Sequence, residues 1–263
     1  MVYPDIDPIL VQLGPVSIHW YGVTYLIGFM GAFWMCFRRK ANVNPSWTTD
    51  DILDVFFYGA LGVIFGGTWG YLLFYEPQLL LQEPIKILRF WDPGRSFHGG
   101  LLGVLISFAL FARVHKRRFL DVCDFLAPVI PIGLAMGRLG NFINGELWGR
   151  ITDVSWGMVF PKAGSLPRHP SQLYEFALEG ILLLVVLQWY SSKPRARGAV
   201  SALFLILYGL FRFIVEFWRE PDLHQGFIAF GWTTMGQLLS FPMIIAGVCV
   251  FLFAKNYSYR RIQ

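Results

Sequence analysis

From Pro8 to Phe37 the chain runs without a single Asp, Glu, Lys or Arg. A bilayer-spanning helix needs about 20 mostly apolar residues, so this stretch is long enough to cross. Similar charge-free runs recur at Val55–Tyr75, Ser96–Ala112, Gly180–Ser192, Gly198–Phe211 and Phe227–Ala254. Another begins near Cys123 and reaches Gly137-Arg138 with Pro128 and Pro131 inside it, so a bent or broken span is expected there. Only 15% of the residues are charged and 55% are hydrophobic, against roughly 25% charge in a soluble domain. That balance excludes a water-soluble enzyme, a disordered chain and a nucleic-acid-binding domain. The expected fold is all-α, a polytopic membrane helix bundle forming one membrane domain over 1–263. Seven spans are expected at about 18–37, 52–74, 96–114, 121–142, 172–190, 198–217 and 233–254.

The cations supply an orientation. Thirteen of the 22 Lys and Arg fall in four clusters, Arg38–Lys40, Arg113–Arg118, Lys193–Arg197 and Lys255–Arg261, at alternate span ends. The positive-inside rule puts all four in the cytoplasm. The N-terminus is then outside, and seven spans bring the basic tail Lys255–Gln263 inside. Two segments are expected on the outer side. Residues 76–92 alternate charges with Leu79, Leu80, Leu81, Ile85, Ile87 and Leu88 and read as an amphipathic interfacial arm. Residues 145–170, rich in Gly, Pro and Trp, read as a small irregular extramembrane cap.

Other signals are quiet. Cys36, Cys123 and Cys249 are far apart with no CxxC spacing, so no disulfide framework or zinc site is indicated. His19, His115, His169 and His224 lack metal-ligand spacing. Residues 1–17 hold Asp5 and Asp7 but no Lys or Arg, so the basic region of a cleavable signal is missing and the first apolar stretch is expected to remain in the mature protein.

The informative residues are charges at or inside the outer ends of spans, where they need a partner or a polar cavity. Arg138, Asn141, Asn144 and Glu146 end the fourth span, Glu175 and Glu179 open the fifth, and Arg212, Glu216 and Arg219 close the sixth. The last three lie at i, i+4 and i+7 on one helical face, so Glu216 can hold both guanidiniums. Alone, such a triplet is an interfacial salt-bridge ladder. Together with Arg138 it becomes a two-guanidinium clamp suited to a phosphate diester. Asn141 and Asn144, three apart, can flank Arg138, and the glycines from Gly137 to Gly149 allow close backbone approach to a ligand. His98, in Ser96-Phe97-His98-Gly99-Gly100, is a proton acceptor with a fitting range, and the two glycines leave room beside it. Tyr21, in His19-Trp20-Tyr21-Gly22, is either an interface anchor or a phenol at the same outer surface.

These stretches resemble the prolipoprotein diacylglyceryl transferase family nearly end to end. The resemblance is carried by His19–Gly22, Ser96–Gly100, the thirteen-residue signature Gly137–Gly149, Arg168-His169-Pro170-Ser171-Gln172-Leu173-Tyr174-Glu175, and Arg212 with Val215-Glu216-Phe217. Pro161–Pro167 is short beside the insertion some enterobacterial members carry. The resemblance implies a bacterial inner-membrane enzyme with its site toward the periplasm. It would transfer a diacylglyceryl group from phosphatidylglycerol to the lipobox cysteine of a preprolipoprotein, leaving a thioether and releasing glycerol 1-phosphate. Arg138 and Arg212 are the expected phosphate binders and leaving-group stabilisers, with His98 the base for a thiol of pKa about 8.5 and Tyr21 its helper. Asn141, Asn144, Glu146 and Glu216 would orient the arginines or hold the glycerol head. Gly149 would shape the loop, and Arg219 is a further phospholipid contact. No metal or other cofactor is implied, because the lipid already carries a phosphate ester as leaving group. The partners are phosphatidylglycerol, lipobox signal peptides and membrane lipids, with no nucleic acid.

A transporter or flippase for an anionic lipid or phosphate compound also wants paired intramembrane arginines, although no internal repeat supports one. A structural or receptor-like seven-span protein accounts for the topology but not for the clustered Arg, Asn and His.

Overall fold

The computed structural model describes residues 1–4, 6–90, 94, 96–221 and 226–259. His224, the end of the arm at Trp91 and Asp92, and the tail residues 260–263 lie outside the described residues. The chain is a mostly helical, multi-pass membrane protein that packs as two compact units, residues 37–125 and residues 1–36 with 126–263. Among the described residues, five helices or helical runs are long and apolar enough to cross a membrane: α1 (Trp20–Asn42), α2 (Thr49–Phe74), α4 (Phe97–Val114), the run Ser171–Tyr190, and α10 (Met235–Tyr259), over its Met235–Lys255 stretch. α5 (Phe119–Leu126) and α6 (Ile130–Ile143) make a sixth if they count as one broken span. α9 (Ala199–Val215) is apolar but has only 17 residues, about 25 Å at 1.5 Å per residue.

The all-α expectation meets one exception. Within the first charge-free stretch, Ile9–Leu13 (β1) and Val16–His19 (β2) pair antiparallel, with Gln12 opposite Ser17 and Leu13 opposite Val16. β-branched Ile9, Val11, Val16 and Ile18 favour strand. Gly14, at φ +60°, takes the left-handed first position of the two-residue turn, which Pro15 completes. The Ser17 hydroxyl donates to Gln12 Oε1 at 2.6 Å across the pair. The helix therefore starts only at Trp20.

In the 37–125 unit, α2 and α4 touch backbone to backbone. Gly62, Gly66 and Gly70 on α2 meet Gly99 and Gly103 on α4: a Cβ on Gly103 would stand 2.8 Å from the Gly66 Cα, and one on Gly70 2.5 Å from the Gly99 Cα. Small residues every fourth position are the usual means of such approach in lipid. The room that Gly99 leaves beside His98 is thus filled by α2 rather than left for a ligand. At the start of α2, Thr48 and Asp51 form a capping box. Asp51 also accepts from Arg117 at 2.7 Å and faces His115 Nδ1 at 3.2 Å, while Trp47 stacks on Phe125 with ring centroids 3.8 Å apart beneath the Arg117 guanidinium. The arm region folds as two short pieces, α3 (Pro77–Gln82) and a 3₁₀ turn at Pro84–Leu88, with Leu81, Ile85, Ile87 and Leu88 exposed.

In the other unit, the run Ser171–Tyr190 comprises α7 (Ser171–Glu175), a π-helical turn (Phe176–Leu182) and α8 (Leu183–Tyr190). Leu183 and Leu187 pack with Ala127 and Val200 in the buried core. Gln188 Nε2 donates 2.8 Å to the Pro128 carbonyl, supplying a partner where the helical ladder breaks between α5 and α6. On the other side, α6 packs against α1, where a Cβ on Gly140 would lie 3.0 Å from the Tyr21 ring. Gly145 to Pro170 is irregular, with one 3₁₀ turn at Pro161–Ala163 and isolated bridges such as Val2 to Val159 and Met158 to Arg168.

Gly103→Ala is expected to lower the thermal midpoint in detergent by roughly 5–10 °C, because the added methyl meets backbone that cannot yield. Gly100→Ala, three residues earlier, would place its Cβ an ordinary 3.8 Å from the Val63 carbonyl, and its midpoint should hold or rise slightly; equal midpoints for the two variants would contradict the packing.

Candidate active site

Three helical segments bring their charges to one place. On α6, Arg138 follows Ala135 by one turn. Ala135 abuts Gly180 of the π turn, where a Cβ would sit 2.6 Å from the Ala135 Cβ. This close approach sets Arg138 beside the carboxylates of Glu175 and Glu179, its Nε 3.3 Å from Glu175 and its Nη2 3.2 Å from Glu179. The i→i+5 turn, rare and frequent at functional sites, carries Glu179, and Glu175 is the last residue of α7 directly before it. From α9, Arg212 donates to Glu175 and to Glu216 and stands 3.8 Å from Glu179. Both carboxylates of the fifth segment are fully buried.

Glu216, one turn after Arg212, joins the two ends of the expected ladder, with Arg219 Nη1 3.3 Å away. It also accepts from the Thr234 hydroxyl at 2.7 Å. Gly236 lies directly beneath, where a Cβ would come 2.6 Å from the Glu216 carboxyl carbon. Burying six charges is tolerable only because each has an opposite partner, and removal of one member of such a set costs about 3–5 kcal/mol.

The Asn141 and Asn144 amides both turn to Glu146. Asn141 Nδ2 gives its hydrogen bond to Glu146 at 2.9 Å, and Asn144 Nδ2 makes a long one at 3.4 Å. The turn after α6 is held from several sides. The Tyr3 hydroxyl lies 2.6 and 2.7 Å from the Phe142 and Ile143 carbonyls, and Lys162 donates to the Asn144 carbonyl at 2.7 Å, so helix-end oxygens that lack intrahelical donors find others. Gln172 Nε2 donates to the Glu146 carbonyl at 2.6 Å and the Ser171 hydroxyl to the Leu147 carbonyl at 3.0 Å. Tyr21 hydrogen-bonds Tyr25 at 3.0 Å between hydroxyls.

Gly149 is a spacer between two strands of backbone. Its N–H donates to the His169 carbonyl at 2.8 Å, and the next N–H, of Arg150, donates to the Trp218 carbonyl at 2.8 Å. A Cβ on Gly149 would stand 2.5 Å from the Trp218 carbonyl oxygen and 2.6 Å from the His169 Cβ. Arg150 then donates from Nε to the Arg219 carbonyl and from Nη2 to the Glu216 carbonyl, at 2.9 and 3.1 Å. Burial holds the His169 imidazole below its usual range, and its Nδ1 lies 3.1 Å from the Tyr174 hydroxyl.

His98 sits exposed in the first turn of α4, which Ser96 caps by accepting from the Gly99 N–H at 3.1 Å. It belongs to the 37–125 unit, whereas Tyr21, Arg138, Asn141, Asn144, Glu146, Gly149, Arg212, Glu216 and Arg219 all belong to the other. Sequence reasoning assigned no role to Glu175, Glu179, Tyr208, Thr234 or Arg150. For the two glutamates the signal was present, two carboxylates four apart opening an apolar run. Tyr208, one turn before Arg212 and within electrostatic reach of both guanidiniums and both glutamates, was detectable by helical spacing. Arg150 and Thr234 carried no such mark.

Two forked donors held in place by buried acceptors are an arrangement that can recognise an anion. Over residues 8–253 the chain matches the family model described as prolipoprotein diacylglyceryl transferase. Proteins named phosphatidylglycerol–prolipoprotein diacylglyceryl transferase are 54% identical to it in three bacteria. In Coxiella burnetii (strain RSA 331 / Henzerling II) the match covers 99% of this chain and 98% of the relative. The Legionella pneumophila (strain Philadelphia 1) protein matches over 94% and 97%, and the Chromohalobacter salexigens protein over 97% and 95%. On matches this long, the chain belongs to the prolipoprotein diacylglyceryl transferase family.

Proposed function

We propose that this chain transfers the diacylglyceryl group of phosphatidylglycerol to the thiol of a lipobox cysteine in a preprolipoprotein. The observation that carries the reading is the convergence of Arg138 and Arg212, from separate helices, on the same buried carboxylates. The thiol loses its proton and the sulfur attacks the glyceryl carbon that bears the phosphate. The carbon–oxygen bond breaks, its electron pair leaves on the phosphate oxygen, and the products are a thioether and glycerol 1-phosphate. Charge grows on the departing phosphate, which is where forked guanidinium donors lower the barrier most.

In this reading Arg138 and Arg212 bind the phosphate. Glu216, backed by Thr234, aims Arg212 and Arg219. Asn141, Asn144 and Glu146 form the polar wall for the glycerol head, and Gly149 keeps the wall close to the end of α9. His98 takes the thiol proton and Tyr21 assists. The membrane setting is part of the proposal: a single membrane domain of seven spans in the bacterial inner membrane, with the N-terminus and site on the periplasmic side, the arm in the outer interface and the C-terminus in the cytoplasm. Four cation clusters at alternate helix ends support that orientation.

Incubating the purified protein with phosphatidylglycerol and a lipobox peptide should raise the cysteine-bearing mass by one diacylglyceryl unit; lipid movement without this gain would indicate a transporter. Arg138→Lys and Arg212→Lys keep the buried charge balanced but lose the fork, and each is expected to cut the transfer rate by roughly 10²-fold or more. Near-normal thioether formation by either folded variant would refute the clamp. His98→Gln should lose at least about 10²-fold in rate, the lower end of general-base effects, with most of the loss in kcat; retention of most activity would place the base elsewhere.

A further inference from the structure

Among the described residues, the ion pairs of the charge cluster join cations and anions in equal number: three guanidiniums, Arg138, Arg212 and Arg219, and three carboxylates, Glu175, Glu179 and Glu216. With all six ionised the sum is zero. An arriving phosphodiester adds one negative charge to a site whose carboxylates are buried, and an uncompensated charge there is costly. Arg150 stands beside Glu216 and Arg219 with its donors on their carbonyls and is not among the groups acting on Glu179, so beside Glu175 and Glu179 a proton is the available neutraliser.

Two oxygens distinguish the carboxylates able to do so. Glu175 Oε2 and Glu179 Oε1 are buried side-chain atoms without a hydrogen-bond donor, although each lies within ion-pair distance of a guanidinium. Glu216 differs, because Thr234, Arg212 and Arg219 all serve it. The groups around Glu179 are Glu175 on its own segment, Arg138 from α6, and Arg212 and Tyr208 from α9, with Glu216 and Arg219 one step further along the network. When phosphate oxygens draw the guanidinium forks away, the two glutamates lose donors while remaining beside each other. A single proton then restores neutrality and turns an acceptor without a donor into an O–H that can itself donate.

We infer that the Glu175–Glu179 pair takes up one proton as the anionic headgroup binds, so that the lipid enters as an ion together with its own neutralising proton. This rests on the phosphate reading proposed above. Binding should therefore weaken about tenfold for each unit rise in pH wherever the free pair is fully ionised. Transfer would share that dependence in its KM.

The test is isothermal titration of the full chain in detergent with dihexanoyl phosphatidylglycerol at pH 7.5, in buffers of differing ionisation enthalpy. The expected result is uptake of about one proton per lipid bound, and none for dihexanoylglycerol, which lacks the phosphate. Glu179→Gln and, separately, Glu175→Gln should reduce uptake toward zero and flatten the pH dependence of affinity, with thermal midpoints verifying that each is folded. Binding by the wild-type protein without proton uptake and with pH-independent affinity would overturn the inference and leave the phosphate reading standing. Failure of the folded protein to bind the phospholipid at any pH would overturn the phosphate reading, and this inference with it.

Discussion

Arg138 and Arg212 reach one pair of carboxylates from two helices that are distant in sequence, and neither arginine could stay in its apolar helix without them. The geometry leaves little slack. Moving α6 by one residue relative to the π turn would swing Arg138 away from Glu179, and rotating α9 would strand Glu175. A buried ionic cluster adds little net stability over apolar packing of the same volume, yet losing any one member is costly. Its effect here is to fix register: α6, the Ser171–Tyr190 run and α9 have one mutual arrangement in which all six charges are answered.

The parts of this arrangement that follow helical periodicity were legible in the sequence. Arg212, Glu216 and Arg219 share a face by spacing alone, and the interruption between α5 and α6 was visible in Pro128 and Pro131. What needed three dimensions was the partner of Arg138. Asn141 and Asn144 were the nearest polar neighbours in the chain, but their amides turn to Glu146, while Arg138 pairs across to another helix through a π turn that no local pattern announces. The hairpin at Ile9–His19 escaped for a different reason: apolar strands inside a charge-free run look like the beginning of a span. Gly99 was misread as a vacancy because its occupants, Gly66 and Gly70, lie about thirty residues earlier.

Around the charges, much of the signature serves the backbone. Gly149 and Arg150 knit the end of α6's following turn to residues 169 and 218–219, and Ser171 and Gln172 clasp the carbonyls of Leu147 and Glu146. Residues of such a site need not approach a lipid at all to serve it. Their contribution is to hold the polar wall at a constant distance from the guanidiniums, which matters when reactive alignment is sensitive to about an ångström.

The α2–α4 contact has a consequence of another kind. Helices that meet through glycines immobilise almost no side-chain rotamers when they associate, and what binds them is a row of short-range backbone contacts whose attraction fades within a fraction of an ångström. Such a joint has no soft intermediate positions. The pair should respond to mechanical or thermal stress as a stiff hinge plate, intact until the row opens, with lipid chains entering all along the seam at once.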